Sequence, residues 1–144
     1  MRILVLNGPN LNLLGEREPA VYGTTTLADI EAMMMARAHE LGQELRFGQS
    51  NHEGVLIDRI HAERHWMDLL IMNPGAFTHY SYALRDAVAS VSKPMIEVHL
   101  SDLTKREAFR QHTVFEGLSR THRIMGRGAE GYLEALMFAS QGSL

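Results

Sequence analysis

The chain has 144 residues, 45% of them hydrophobic and 22% charged, with a formal net charge of −3 and no cysteine. Such a length fits one domain, over residues 1–144, able to bury roughly 70% of its unfolded surface; the mildly acidic balance and scattered arginines leave no basic field for nucleic acid or an anionic membrane. A disulfide framework, thiol chemistry and a cysteine-bound metal are excluded, and with neither a signal-peptide core nor an apolar run of membrane-spanning length the protein is expected to be cytoplasmic.

In chain order, the apolar run Ile3–Leu6 reads as a buried strand and is followed by Asn7-Gly8-Pro9-Asn10. A helix is predicted over Leu27–Leu41, with apolar residues at 27, 30, 34, 38 and 41 and Gly42 as its C-cap. Leu45-Arg46-Phe47 alternates as an edge strand would. The next helix is predicted over Gly54–Trp66, then a strand at Leu69–Met72 and a helix over His79–Val91, apolar at 80, 84, 87, 88 and 91. A strand at Met95–Val98 leads to a short helix starting near Thr104, where Thr104 and Glu107 have capping-box spacing. A weaker strand at Ile124-Met125 and a helix over Gly128–Ala139 close the chain. Strands alternating with helices predict an α/β fold with a parallel sheet covered on both faces. Five such units point to a flavodoxin-like, doubly wound five-stranded sheet, whose ligands bind beyond the carboxyl ends of the strands.

That rule selects three loops: Asn7–Asn10, Asn73–His79, and the stretch Glu97–Asp102, where alternation puts Glu97, His99 and Ser101 on one side. Taken singly, each Asn, Pro or Gly is a turn former and each His incidental. The convergence of all three loops on one crevice is what points to a site. A phosphate-accepting receiver domain would need carboxylates where Asn7 and Asn73 stand, and a flavin module would need a Ser/Thr/Gly-rich first loop. Gly126-Arg127-Gly128-Ala129-Glu130-Gly131 matches the dinucleotide fingerprint but opens the last helix, with no following strand to carry a ribose-binding acid; tight strand-to-helix packing is the better reading. His61 and His65, one helical turn apart, lack a third ligand at sensible spacing, so a solvated face is expected and no metal.

Five segments in order resemble type II 3-dehydroquinate dehydratase: Asn7-Gly-Pro-Asn-Leu-Asn-Leu-Leu-Gly15, Arg17-Glu-Pro-Ala-Val-Tyr-Gly23, Gln49-Ser-Asn-His-Glu-Gly54 with Leu56-Ile-Asp58, Asn73-Pro-Gly-Ala-Phe-Thr-His79, and Ile96-Glu-Val-His-Leu-Ser101. The match runs from about residue 2 to about 112 and resumes at 126–136. The resemblance implies dehydration of 3-dehydroquinate to 3-dehydroshikimate, in the shikimate pathway or in quinate breakdown, on a flavodoxin-like fold without metal or organic cofactor. It also implies that no Schiff-base lysine is used. Only Lys93 and Lys105 occur, the first at the strand end away from the crevice, the second in the short helix beyond it.

Carried over residue by residue, the resemblance makes Tyr22 the proton acceptor, Arg17 its electrostatic partner and transition-state stabiliser, and His99 the proton donor, with Glu97 orienting its imidazole. A mobile lid over about residues 16–24, hinged by Gly15, Pro19 and Gly23, would carry Arg17 and Tyr22 over the substrate. Asn10 lies near the ketone oxygen; Asn73 with the backbone amides of Leu100 and Ser101 holds the carboxylate; His79 and Arg110 bind ring hydroxyls. Arg106, one turn earlier, either assists Arg110 or forms only a surface pair, the pair being the preferred reading. Asp86 corresponds to a residue lent to a neighbouring active site, which implies trimers and, as is usual in the family, a homododecamer. Met33-Met34-Met35 and Trp66 read as core or interface packing. Between Thr113 and Arg123 the sequence departs from the family pattern, and an altered surface or oligomer contact is expected there rather than altered chemistry.

Overall fold

The computed structural model describes residues 1–16, 18–142 and 144, and of Val21 and Tyr22 the backbone alone. Five strands, β1 (Arg2–Asn7), β2 (Glu44–Gln49), β3 (Leu69–Asn73), β4 (Met95–His99) and β5 (Thr121–Met125), form one sheet in the order β2-β1-β3-β4-β5. All neighbours pair in parallel. This is the flavodoxin-like order. Helices α2 (Leu27–Glu40), α3 (Glu53–Glu63), α4 (Tyr82–Val91) and α5 (Glu130–Ser140) supply the crossovers and the cover, and a single turn, α1 (Pro19–Tyr22), stands ahead of them.

Strand alternation explains the layers. Ile3, Val5, Leu69, Ile71, Ile96 and Val98 face α2 and α5 in one core cluster. Leu4, Leu6, Leu70, Met72 and Met95 face α3 and α4 in the other. Burial on both faces is why β1, β3 and β4 read as unbroken apolar runs. Glu97 falls on the α3/α4 side of β4, at 1% exposure, where a carboxylate survives only with partners. Of the three methionines in α2, Met34 is buried and Met35 exposed. Trp66 lies half-buried under the Arg46 guanidinium, 4.0 Å from its ring centre.

Three local readings change. The helix predicted from His79 starts at Tyr82, because 75–79 winds into a 3-10 turn and Ser81 caps α4 by accepting from the Leu84 N–H at 3.1 Å. The short helix predicted from Thr104 is two separate 3-10 turns, Leu103–Lys105 and Ala108–Arg110, with Arg106 extended between them. Its cap is not Thr104 but Asp102, whose carboxylate accepts from the Thr104 N–H at 3.0 Å and from its hydroxyl at 2.6 Å. This local bonding competes with continued helix. The last strand begins three residues earlier than its apolar signal, since on the sheet edge only Ile124 is buried.

Two glycines set the spacing at the carboxyl end of the sheet. A Cβ on Gly8 would lie 2.3 Å from the Pro74 carbonyl oxygen, so the loops after β1 and β3 touch only because it is absent. Gly126 has φ +76 and brings the β5–α5 turn against Asp102, where a Cβ would sit 3.0 Å from the aspartate Cβ. The strand-to-helix packing expected of the G-x-G-x-x-G stretch falls to Gly131, in α5, where a Cβ would sit 3.5 Å from Ile124 of β5 and from Val98 of β4.

Candidate active site

The loops after β1, β3 and β4 enclose a crevice of about 110 Å³ at the switch in strand order. Asn10, Asn73, His79, His99, Leu100, Ser101 and Arg110 all line it, as does Arg106. Seven of the sequence-predicted residues therefore meet in one place. Two arginines around so small a space favour an anionic ligand.

Asn10 stands in the left-handed region at φ 68, a conformation its residue type tolerates, and its side chain makes no capping bond. Its N–H donates to Asn51 Oδ1 at 3.0 Å. Gln49, at the end of β2, donates from Nε2 to the same oxygen at 3.1 Å and to the Gly8 carbonyl at 3.2 Å. The Gln49–Asn51 motif thus braces the loop that presents Asn10, a job invisible in the sequence.

Glu97 and His99 are two residues apart on one side of β4, and Glu97 Oε1 lies 2.7 Å from His99 Nε2. The Thr78 hydroxyl also donates to Oε1, and Thr113 Oγ1 lies 3.0 and 3.2 Å from the two carboxylate oxygens. With Nε2 engaged, Nδ1 is the imidazole nitrogen without a partner among the described residues. Burial pushes the Glu97 carboxyl up, but the bonds from His99, Thr78 and Thr113 outweigh it and hold its pKa below the ordinary value of 4.5. A carboxyl whose folded pKa lies below its unfolded one stabilises the fold above the unfolded value, and that contribution is lost as pH falls through the folded one. Urea midpoints measured from pH 7 downward should therefore drop below about pH 4.5, and the drop should be shallower in Glu97→Gln. Equal slopes for the two proteins would contradict this account.

Thr113 opens the stretch where an altered surface or oligomer contact is expected, and its bond to Glu97 adds that the start of this stretch also backs the carboxylate behind His99. The same stretch is anchored by Arg85, whose Nη1 donates to the Val114 carbonyl and, at 2.9 Å, to that of Glu116.

His79 donates from Nδ1 to the His112 carbonyl at 2.7 Å, since a carbonyl can only accept, which leaves Nε2 as an acceptor. Burial, with lesser help from His99 and Arg110, holds this imidazole below its ordinary ionisation. Arg110 bonds Glu107 Oε2 at 3.0 Å and lies over the Phe109 ring at 4.8 Å. Arg106, expected as a surface pair, does stand 3.6 Å from Glu107, but its side chain is only 16% exposed and donates to Ser101 Oγ at 3.1 Å. It is a crevice residue. The extended link between the two 3-10 turns directs it inward, and its four-residue spacing from Arg110 was the only available signal.

Arg17 lies outside the described residues, as does the side chain of Tyr22. The backbone places Tyr22 in the last position of α1, and the next residue, Gly23, lines a hollow of about 510 Å³ that shares Leu100, Ser101 and Arg106 with the crevice. Asp86 is exposed on α4 and does not line the crevice of its own chain. His61 and His65 are exposed, and no group of three or more metal-binding side chains occurs among the described residues. No helix among those residues is long and apolar enough to cross a membrane.

The sequence profile described as dehydroquinase class II matches residues 1–140. The chain belongs to this family. It is 60% identical over 136 residues to a 3-dehydroquinate dehydratase of Dinoroseobacter shibae, covering 94% of this chain and 90% of that one. A 3-dehydroquinate dehydratase of Pelotomaculum thermopropionicum is 53% identical over 97% of this chain and 96% of its own. Among solved structures, the type II dehydroquinase from Butyrivibrio crossotus superposes with a TM-score of 0.92 at 44% identity, covering 96% of each chain.

Proposed function

We propose that the chain dehydrates 3-dehydroquinate to 3-dehydroshikimate by anti elimination through an enolate, without a metal or organic cofactor. The observation that carries this reading is the His99–Glu97 pair, 2.7 Å apart in a crevice lined by Asn73, Arg106 and Arg110, in a chain of the class II dehydroquinase family. Tyr22 as phenolate takes the proton from the carbon beside the ketone, with Arg17 stabilising its charge and that of the transition state. Asn10 serves the developing enolate oxygen through an ordered water, because donors placed where charge accumulates lower the barrier most. His99 then gives a proton to the departing hydroxyl, and Glu97 keeps the ring oriented for that transfer. Base and acid on opposite sides of the ring make the elimination anti.

Asn73 and the amides of Leu100 and Ser101 hold the substrate carboxylate. Arg110 binds a ring hydroxyl, and the Nε2 of His79, left as an acceptor, receives another. The segment from about 16 to 24 closes as a lid and brings Arg17 and Tyr22 onto the substrate. Asp86, exposed and away from its own crevice, serves a neighbouring subunit's site in a trimer, four of which form a dodecamer. The enzyme works in the cytoplasm, in the shikimate pathway or in quinate breakdown. The test is to mix purified protein with 3-dehydroquinate and follow the ultraviolet absorbance of the enone carboxylate. Folded protein that produces no such absorbance would end the proposal.

A further inference from the structure

Tyr132 is the one fully buried phenol that the proposed chemistry leaves unused. It sits in the first turn of α5, at 0% exposure within the α2/α5 core. Burial pushes its ionisation far above the ordinary tyrosine value, so it is a neutral hydroxyl that both donates and accepts. It spans two adjacent strands. Asn7 ends β1, Asn73 ends β3, and the two residues are partners in the ladder. The Tyr132 hydroxyl donates to Asn7 Oδ1 at 2.5 Å and accepts from Asn73 Nδ2 at 3.1 Å.

These bonds decide which way the Asn73 amide points. Its Oδ1 accepts from the Gly75 N–H at 3.1 Å, so the carbonyl end is held from one side. Its Nδ2 is held by the phenol from the other, while Asn7 takes the phenol proton and leaves the oxygen free to accept. Turned over, the amide would set Nδ2 against the Gly75 N–H, donor against donor. An Asn73 held in this way keeps its second Nδ2 hydrogen for a ligand in the crevice that it lines. Asn7 Nδ2 is buried and has no partner among the described residues. A buried orphan donor has a cost, so what Asn7 contributes here is its oxygen, and that oxygen serves the phenol.

We infer that Tyr132 is a positioning residue for the reaction: with Asn7 it fixes the Asn73 amide as a donor toward the substrate carboxylate. The inference rests on the proposed role of Asn73 as a carboxylate ligand. Tyr132→Phe keeps the ring and removes the hydroxyl. Losing the amide's orientation weakens a hydrogen bond to a charged group, so KM for 3-dehydroquinate should rise about tenfold, a change equivalent to about 1.4 kcal/mol. The turnover number should change far less.

The decisive measurement is a double-mutant cycle on KM, with Tyr132→Phe, Asn73→Ala and the pair, alongside thermal unfolding of each. A positioning role requires Tyr132→Phe to raise KM in the wild-type chain and to add almost nothing once Asn73 is alanine. A purely structural role would lower the unfolding temperature in both backgrounds without that coupling. Additive effects on KM, or an unchanged KM in Tyr132→Phe, overturn the inference. If Tyr132→Phe does not fold, Asn7→Ala replaces it in the cycle, because without its acceptor the phenol can donate to a turned-over Asn73 amide as readily as it now accepts from Nδ2. An unchanged KM there likewise overturns the inference. An unchanged KM in Asn73→Ala alone would remove the carboxylate assignment and the inference together, whereas a raised KM in Asn73→Ala with none in Tyr132→Phe removes the inference only.

Discussion

His99→Ala is expected to lower the turnover number by about a hundredfold to ten-thousandfold, the usual contribution of a positioned acid, while KM moves little. The imidazole lies at the end of β4, 5% exposed, with Nε2 committed to Glu97 and Nδ1 without a partner among the described residues. A group held in this way is poor at adding binding energy and good at delivering one proton to one position. The carboxylate behind it is itself immobilised by Thr78 and Thr113, so the ring has little freedom to turn. Alanine removes the proton but leaves Asn73, Arg106 and Arg110 around the crevice, which is why affinity should survive. Stopped-flow turnover and equilibrium binding of 3-dehydroquinate check the two halves separately. A variant that loses affinity and rate by the same factor would make His99 a binding residue and leave the acid unassigned.

How far the sequence foretold this site depends on the range of the interaction. β1, β3 and β4 were legible because burial on both faces makes them apolar runs, and the rule of strand ends then led to Asn10, Asn73 and His99. β5 was only half legible, since an edge strand with one buried residue carries little periodicity. The 3-10 turns replaced a predicted helix because Asp102 makes a local cap that capping-box spacing did not anticipate. What escaped entirely were partners far apart in the chain. Thr113 reaches Glu97 across 16 residues, Asn51 reaches Asn10 across 41, and Tyr132 reaches Asn7 across 125. No window of sequence contains both ends of such a bond. Arg106 was within reach but read as half of a surface pair, because its inward turn depends on the extended backbone at that position.

Tyr22→Phe is expected to abolish measurable turnover while leaving the fold and ligand binding largely intact. The carbon acid beside a ketone is weak, so its base must be strong, yet free tyrosine ionises near a pKa of about 10. Bringing the phenol to about 7 requires roughly 4 kcal/mol of preference for the phenolate, at about 1.36 kcal/mol per unit. A guanidinium within a few ångströms, in a site that a closing segment has emptied of water, can supply much of that. On the proposed reading Arg17 is that guanidinium, five residues before Tyr22 and joined to it through Pro19 and the single turn of α1. Phenylalanine keeps the ring and removes the only atom that can accept the proton, so no residual route through the same residue exists. Arg17→Ala should then slow turnover while shifting its pH optimum upward, because the phenol must be ionised by solution base instead. Tyr22→Phe with undiminished activity would show that another group strips the proton. An unshifted pH profile in Arg17→Ala would mean that the phenol owes its acidity to something other than its cationic neighbour.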